Sequence, residues 1–145
     1  MNKIYSILVN AIIEKDGKIL LSQRSYEEEH EPGKWTIPGG KVENAEHEEE
    51  IFNIIEKTIV KECMEEVGVE ISDEFMLIEN NTFKRTNGQM VLALLFLCKW
   101  KSGDPQPLED TINVSWASHH ELDNYQFPPN VKEYVQKGFK HLSQK

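Results

Sequence analysis

The sequence predicts an α+β fold, or an α/β/α sandwich, built on mostly antiparallel strands. Three observations carry this expectation. Two tight-turn dipeptides, Asp16-Gly17 and Asn87-Gly88, each lie between apolar runs of strand length. A carboxylate-rich stretch of helical spacing runs up to Gly68. Helical signals return near the carboxyl end, from Asn130 onward.

Taken in order, residues 5–13 are apolar apart from Ser6 and Asn10 and read as a largely buried strand. Residues 18–23 return antiparallel to it after Asp16-Gly17. A polar loop at 24–32 holds Glu27, Glu28, Glu29 and Glu31. A long helix is expected from about residue 48 to Val67, with Gly68 as its stop. Strands are expected at 75–84 and 89–101, on either side of Asn87-Gly88. The loop at 102–110 contains Gly103, Pro105 and Pro107 and leads into a short strand at 112–117. Residues 119–122 read as helical, as does the segment after Asn130. No internal repeat or low-complexity linker interrupts the 145 residues, so a single domain over 1–145 is expected.

The formal net charge of −9 should repel nucleic-acid polymers. A small nucleotide would then need a metal ion to bridge carboxylate and phosphate. Cys63 and Cys98 lie in apolar stretches without metal-ligand spacing and read as buried thiols, which suits a reducing compartment. The amino-terminal apolar run is too short to span a bilayer and carries no convincing cleavage site. A cytoplasmic protein without membrane partners is the expectation.

Glu62, Glu65 and Glu66 stand at i, i+3 and i+4 and crowd onto one helix face. Like charges at that spacing repel. The cluster is therefore either a solvated acidic face or the surroundings of a cation, and hard oxygen ligands suit Mg²⁺ or Mn²⁺. The five histidines share no metal-ligand spacing.

Residues 39–69 resemble the signature of the Nudix hydrolases, G-x5-E-x7-R-E-U-x-E-E-x-G-U with U aliphatic. Gly40 and Glu46 fit its first part, and Glu62, Glu65, Glu66, Gly68 and Val69 fit its last. The lead-in at 34–43, Lys-Trp-Thr-Ile-Pro-Gly-Gly-Lys-Val-Glu, is similar to the family's approach to its box. Three features depart from the pattern. Fourteen residues, 47–60, separate Glu46 from Lys61 where the family has seven. Lys61 stands where the family has Arg, keeping the charge but losing the planar fork. Cys63 fills the aliphatic slot as a small hydrophobe.

Seven extra residues amount to nearly two helical turns, about 10 Å of rise and about 20° of drift. A continuous helix is expected to absorb them, with Ile59, Val60, Cys63 and Val67 on one side. Ile51, Ile54 and Ile55 would swing toward the carboxylates and either pack on another loop or on a second subunit of a homodimer, or simply cap the core of the same chain. The role of Glu46 depends on where the extra turns begin, and Asn53 supplies no carboxylate in its place.

The resemblance implies a mixed sheet between helices and metal-dependent hydrolysis of a nucleoside diphosphate linked to another moiety. It implies Glu62, Glu65 and Glu66 as ligands, with the Gly40 carbonyl a further metal ligand, and structural roles for Glu46, Lys61 and Gly68. A general base would come from this set or from the loop before the last strand, where Glu109 is preferred over Asp110. Either acid also reads as solvated. Phe127-Pro128-Pro129-Asn130 is similar to the carboxy-terminal element of MutT-type enzymes, in which an asparagine one residue further on contacts the base. Asn130 would pair with a purine edge, but reads first as a helix N-cap. Arg24 would meet a phosphate or serve as a surface charge. Trp35, Phe83 and Tyr125 are base-stacking candidates or core. The leading expectation is a MutT-like nucleoside triphosphate pyrophosphohydrolase. ADP-ribose or nucleotide-sugar hydrolysis and a non-catalytic nucleotide sensor are the alternatives.

Overall fold

A computed structural model of the chain describes residues 5–43 and 49–144. The elements follow in order as β1 (Tyr5–Lys15), β2 (Lys18–Arg24), β3 (Trp35–Thr36), β4 (Gly39–Lys41), α1 (Ile54–Val67), β5 (Glu70–Lys84), β6 (Met90–Ser102) and β7 (Thr111–Ala117). A 3₁₀ helix (His119–Asn124) and α2 (Pro129–Ser143) complete the chain. Seven strands form one sheet in the order β3-β2-β1-β6-β5, with β4 paired to β1 and β7 to β2. The predicted class holds. β1 and β6 run parallel, from Tyr5 opposite Met90 to Glu14 opposite Lys99, and the other pairings are antiparallel.

Alternation along β1 sorts the core into two layers. Val9, Ala11 and Ile13 face α1 and pack with Ile59, Cys63, Val67 and Cys98. Ile12 points to the other side, where Val135 and Phe139 of α2 cover it. One helix on each face gives the α/β/α sandwich. Both cysteines are free and buried, as expected. Among the described residues no helix is long and apolar enough to cross a membrane.

The hairpin at Asp16-Gly17 forms with both residues at positive φ, the geometry of a twisted two-residue turn. Strands β1 and β2 pair only at that end, through Glu14 with Ile19 and Lys15 with Lys18. Beyond it they part, and the β3–β4 segment enters the gap. The Ala11 N–H donates to the Pro38 carbonyl at 2.8 Å, and Leu8, Val9 and Asn10 pair with β4. This splay presents Gly39 and Gly40 to α1.

The helix departs from expectation at its start. It begins at Ile54, after Asn53 in the left-handed region (φ 59, ψ 38), so the stretch from 49 to 53 lies outside it. The extra residues are not absorbed as two continuous turns. Ile51 is therefore not part of the helical face assigned to it, and Ile55 packs against the α1-side core of its own chain. Val60 is 42% exposed rather than on the core side; Thr58 is buried instead and donates its hydroxyl to the Ile54 carbonyl at 2.7 Å. Gly68 ends the helix as predicted, at φ 68 with its N–H on the Met64 carbonyl. Strand β5 starts at Glu70, five residues ahead of the predicted boundary. Glu46 lies outside the described residues.

Candidate active site

Burial of Ile59, Cys63 and Val67 against the sheet fixes the rotation of α1. The intervening Glu62, Glu65 and Glu66 then lie on its half-buried flank. The β4 turn meets this flank directly. The Gly39 N–H donates to Glu66 Oε2 at 3.2 Å. Gly40 has no room for a side chain, because a β-carbon there would stand 2.5 Å from the Glu62 carboxyl carbon.

Glu62 and Glu66 are neighbours on this flank, and each carboxylate disfavours the charge of the other. Burial is the main reason that Glu66 is pushed up to about 9, followed by the neighbouring Glu62; the Gly39 N–H opposes the shift. Opposite them, a cavity of about 200 Å³ is also lined by Arg24, Glu109 and Asp110. Glu109 adopts φ 51, a region that strains a non-glycine residue. Its carboxyl is raised first by partial desolvation and then by Glu65, Glu62 and Asp110, with Lys61 pulling the other way. The two acids that precede β7 in sequence thus face the helix glutamates in space. Glu65 does not line the cavity and acts on it through its charge.

Arg24 closes the cavity from the end of β2. Its Nε donates to the His30 carbonyl at 3.0 Å, and its guanidinium pairs with Glu28 at 3.4 Å. Arg24, Thr36, Gly39 and Glu66 also line a neighbouring cleft of about 440 Å³, which continues past Phe83 and Arg85 to Asn130. A single depression therefore leads from a cluster of carboxylates to an aromatic ring and an amide.

The helix-cap reading of Asn130 does not hold. Pro128 is the N-cap residue and Pro129 opens α2, which leaves Asn130 in the first turn with its side chain exposed to the cleft. Of the aromatic candidates only Phe83 lines the cleft. Trp35 and Tyr125 meet edge to face at 4.9 Å and pack on the α2-side core.

A family profile described as the NUDIX domain matches residues 4–137. The chain belongs to the NUDIX domain family. Among relatives, the CTP pyrophosphohydrolase of Escherichia coli K12 is 43% identical over 63 residues, 43% of this chain and 41% of the relative. The MutT-like protein of Streptomyces ambofaciens is 28% identical over 116 residues, 79% of this chain and 64% of the relative. The chain thus spans less than two thirds of either relative's length.

NUDIX structures share the fold at lower identity. The MutT protein from Methanosarcina mazei Go1 superposes with a TM-score of 0.75 at 24% identity, covering 100% of this chain and 99% of that one. The NUDIX domain of Shewanella oneidensis NrtR, solved with ADP ribose, gives 0.76 at 16% identity, covering 97% and 90%.

The NUDIX carboxylates suit a hard divalent cation by two observations. Burial, together with the neighbouring Glu62, pushes the Glu66 carboxyl up to about 9, so a positive charge at this site would relieve the pair. Gly40 leaves the Glu62 carboxylate a cradle that any β-carbon would fill. Among the described residues no three His, Cys, Asp or Glu side chains already enclose a metal position. The donors are carboxylate oxygens, which match Mg²⁺ or Mn²⁺.

Several cleft residues were not singled out as candidates from sequence. Asn10, Thr36 and Arg85 line the cleft, as does His30. Asn10 carried a signal, as a polar break in an apolar strand. Thr36 lies within the 34–43 lead-in but had no role assigned to it, and His30 and Arg85 lie in stretches that nothing local distinguishes from surface.

Proposed function

We propose that this chain hydrolyses a pyrophosphate bond in a nucleoside triphosphate with the help of Mg²⁺ or Mn²⁺. The observation that carries the reading is the continuity of the cleft. Carboxylates stand at one end, Arg24 in the middle, and Phe83 with Asn130 at the other. That order matches a metal-bridged polyphosphate, a guanidinium on phosphate oxygens, and a stacked nucleobase.

Glu62 and Glu66, with the Gly40 carbonyl and with Glu65 reaching in from outside the cavity, would hold the cation, which would neutralise charge on the phosphate oxygens and acidify water. Glu109 takes a proton from the attacking water. The water oxygen forms a bond to phosphorus, the bridging P–O bond breaks, and the leaving phosphate departs with the electron pair. Arg24 holds the polyphosphate in line, while Phe83 and Asn130 hold the base. Lys61 offsets the acidic charge around Glu109. The two buried free thiols are in keeping with a reducing, cytoplasmic location.

The test is a phosphate and pyrophosphate release screen with Mg²⁺, Mn²⁺ and EDTA. The panel holds standard and oxidised nucleoside triphosphates, ADP-ribose, nucleotide sugars and dinucleoside polyphosphates. Metal-dependent release from triphosphates is expected. Release from ADP-ribose or nucleotide sugars alone would move the substrate class. Tight nucleotide binding without release from any member would make the chain a sensing module.

A further inference from the structure

The depression does not end at the carboxylates. Glu62, which lines the carboxylate cavity, also lines a second cavity of about 540 Å³ between β4 and α1. Lys41 from β4 and Lys57 and Lys61 from α1 surround it, and Ile51 and Ile54 add an apolar lining. Both isoleucines belong to the segment 47–60, which is longer here than in the family pattern. The cavity is thus enclosed in part by residues that set this chain apart.

Three ammonium groups around one cavity repel each other. Lys57 and Lys61 stand at i and i+4, the spacing at which like charges destabilise a helix. Among the described residues none of the three lysines forms an ion pair, although Glu43 and Glu62 line the same space. Lys34, Lys101, Lys132 and Lys137, by contrast, each meet a carboxylate. The chain carries 25 acidic residues against 16 basic ones, so partners for three more lysines are not scarce. A cluster left uncompensated in such a chain suits an anion from outside, and ammonium groups suit phosphate oxygens.

We propose that Lys41, Lys57 and Lys61 form a subsite for the terminal phosphates of the nucleotide, selecting triphosphates over diphosphates and over nucleotides capped by a neutral sugar. This rests on the reading of the cleft as a nucleotide site. The cleft runs from Phe83 and Asn130 past Arg24 and Glu66 to Glu62, and the lysines continue it. A diphosphate, one phosphate shorter, stops before them. A sugar reaches them without charge. One exposed lysine in a charge-assisted contact is worth about three- to tenfold in KM.

The test measures kcat and KM with Mg²⁺ for ATP and ADP, CTP and CDP, and ADP-ribose. The wild type is compared with Lys57→Gln, Lys57→Glu and, on the opposite face of the sheet, Lys140→Gln. Each wild-type triphosphate should have a KM about tenfold or more below that of its diphosphate. Lys57→Gln should raise the triphosphate KM about three- to tenfold and Lys57→Glu further, with kcat and the diphosphate KM within about twofold. Lys140→Gln removes the same charge elsewhere and should change neither. Pyrophosphate binding, followed by calorimetry with Ca²⁺, should weaken in Lys57→Glu in parallel.

A triphosphate KM unchanged in Lys57→Glu, or a rise shared equally by the diphosphate, overturns the proposal in a variant that melts like the wild type. A wild type that prefers diphosphates or ADP-ribose overturns it too, as does pyrophosphate binding indifferent to Lys57→Glu. If that binding responds while no nucleotide is turned over, the subsite stands and only the proposed reaction fails. If neither pyrophosphate nor a triphosphate binds, both fall.

Discussion

A β-carbon on Gly40 would stand 2.6 Å from Oε1 of Glu62, so the turn into β4 and the helix carboxylate occupy adjoining space with nothing to spare. The obstructing atoms are the far end of a flexible side chain. Gly40→Ala is therefore expected to displace Glu62 rather than the backbone, leaving the melting temperature within a few degrees of wild type. The Mg²⁺ concentration for half-maximal turnover should rise about tenfold or more, the scale seen when a ligand's orientation is lost. A metal dependence that stays the same while stability falls would assign Gly40 a packing role alone.

Glu66 receives the Gly39 N–H and has Glu62 as a charged neighbour, so it links the turn to the helix. Glu66→Gln keeps the shape and removes the charge. Turnover should fall at least about a hundredfold, with a matching loss of metal affinity by calorimetry. Glu65→Gln should also lower turnover, although Glu65 lies outside the cavity and acts on Glu109 through charge. Substantial hydrolysis in the double variant would remove the helix glutamates from the reaction.

Stability should report the same crowding. Glu66 is pushed up to about 9 from an ordinary 4.5, first by burial. A carboxyl with a raised folded pKa binds an extra proton in the fold, so its contribution is full below the unfolded value and is lost as pH rises through the folded one. The metal-free protein should thus lose stability from about pH 5 to pH 9, and Glu66→Gln should flatten that slope. Mg²⁺ must displace the proton, so its binding at pH 7 should acidify a weakly buffered solution. Magnesium binding with no proton release would show that the pair is already ionised.

What could be read in the sequence was local. Asp16-Gly17 announced its hairpin through turn chemistry, and Gly68 its helix stop through the need for positive φ. The start of α1 was hidden because Asn53 adopts a left-handed conformation that apolar periodicity does not register. Strands β3 and β4 were missed because two- and three-residue strands exist only through pairing with distant β2 and β1. The carboxylate end of the cleft was legible as one helical run. Its other end joins Asn81 to Tyr134 across 53 residues, a proximity created by packing α2 against β5.

Glu109 and Asp110 both line the cavity that faces the helix glutamates. The Glu109 carboxyl is raised by desolvation and by the helix glutamates, which makes it the stronger base of its kind near neutrality. Glu109→Gln should lower kcat by about a hundredfold to ten-thousandfold, the usual worth of a general base, and should remove the acid limb from the pH–rate profile. Asp110→Asn should cost only a few-fold. Lys61 holds the Glu109 pKa down, so Lys61→Gln should shift the acid limb to higher pH, whereas Lys61→Arg should leave it in place. If Asp110→Asn is the more damaging change and Glu109→Gln keeps more than about a tenth of wild-type kcat, the proton is taken by Asp110.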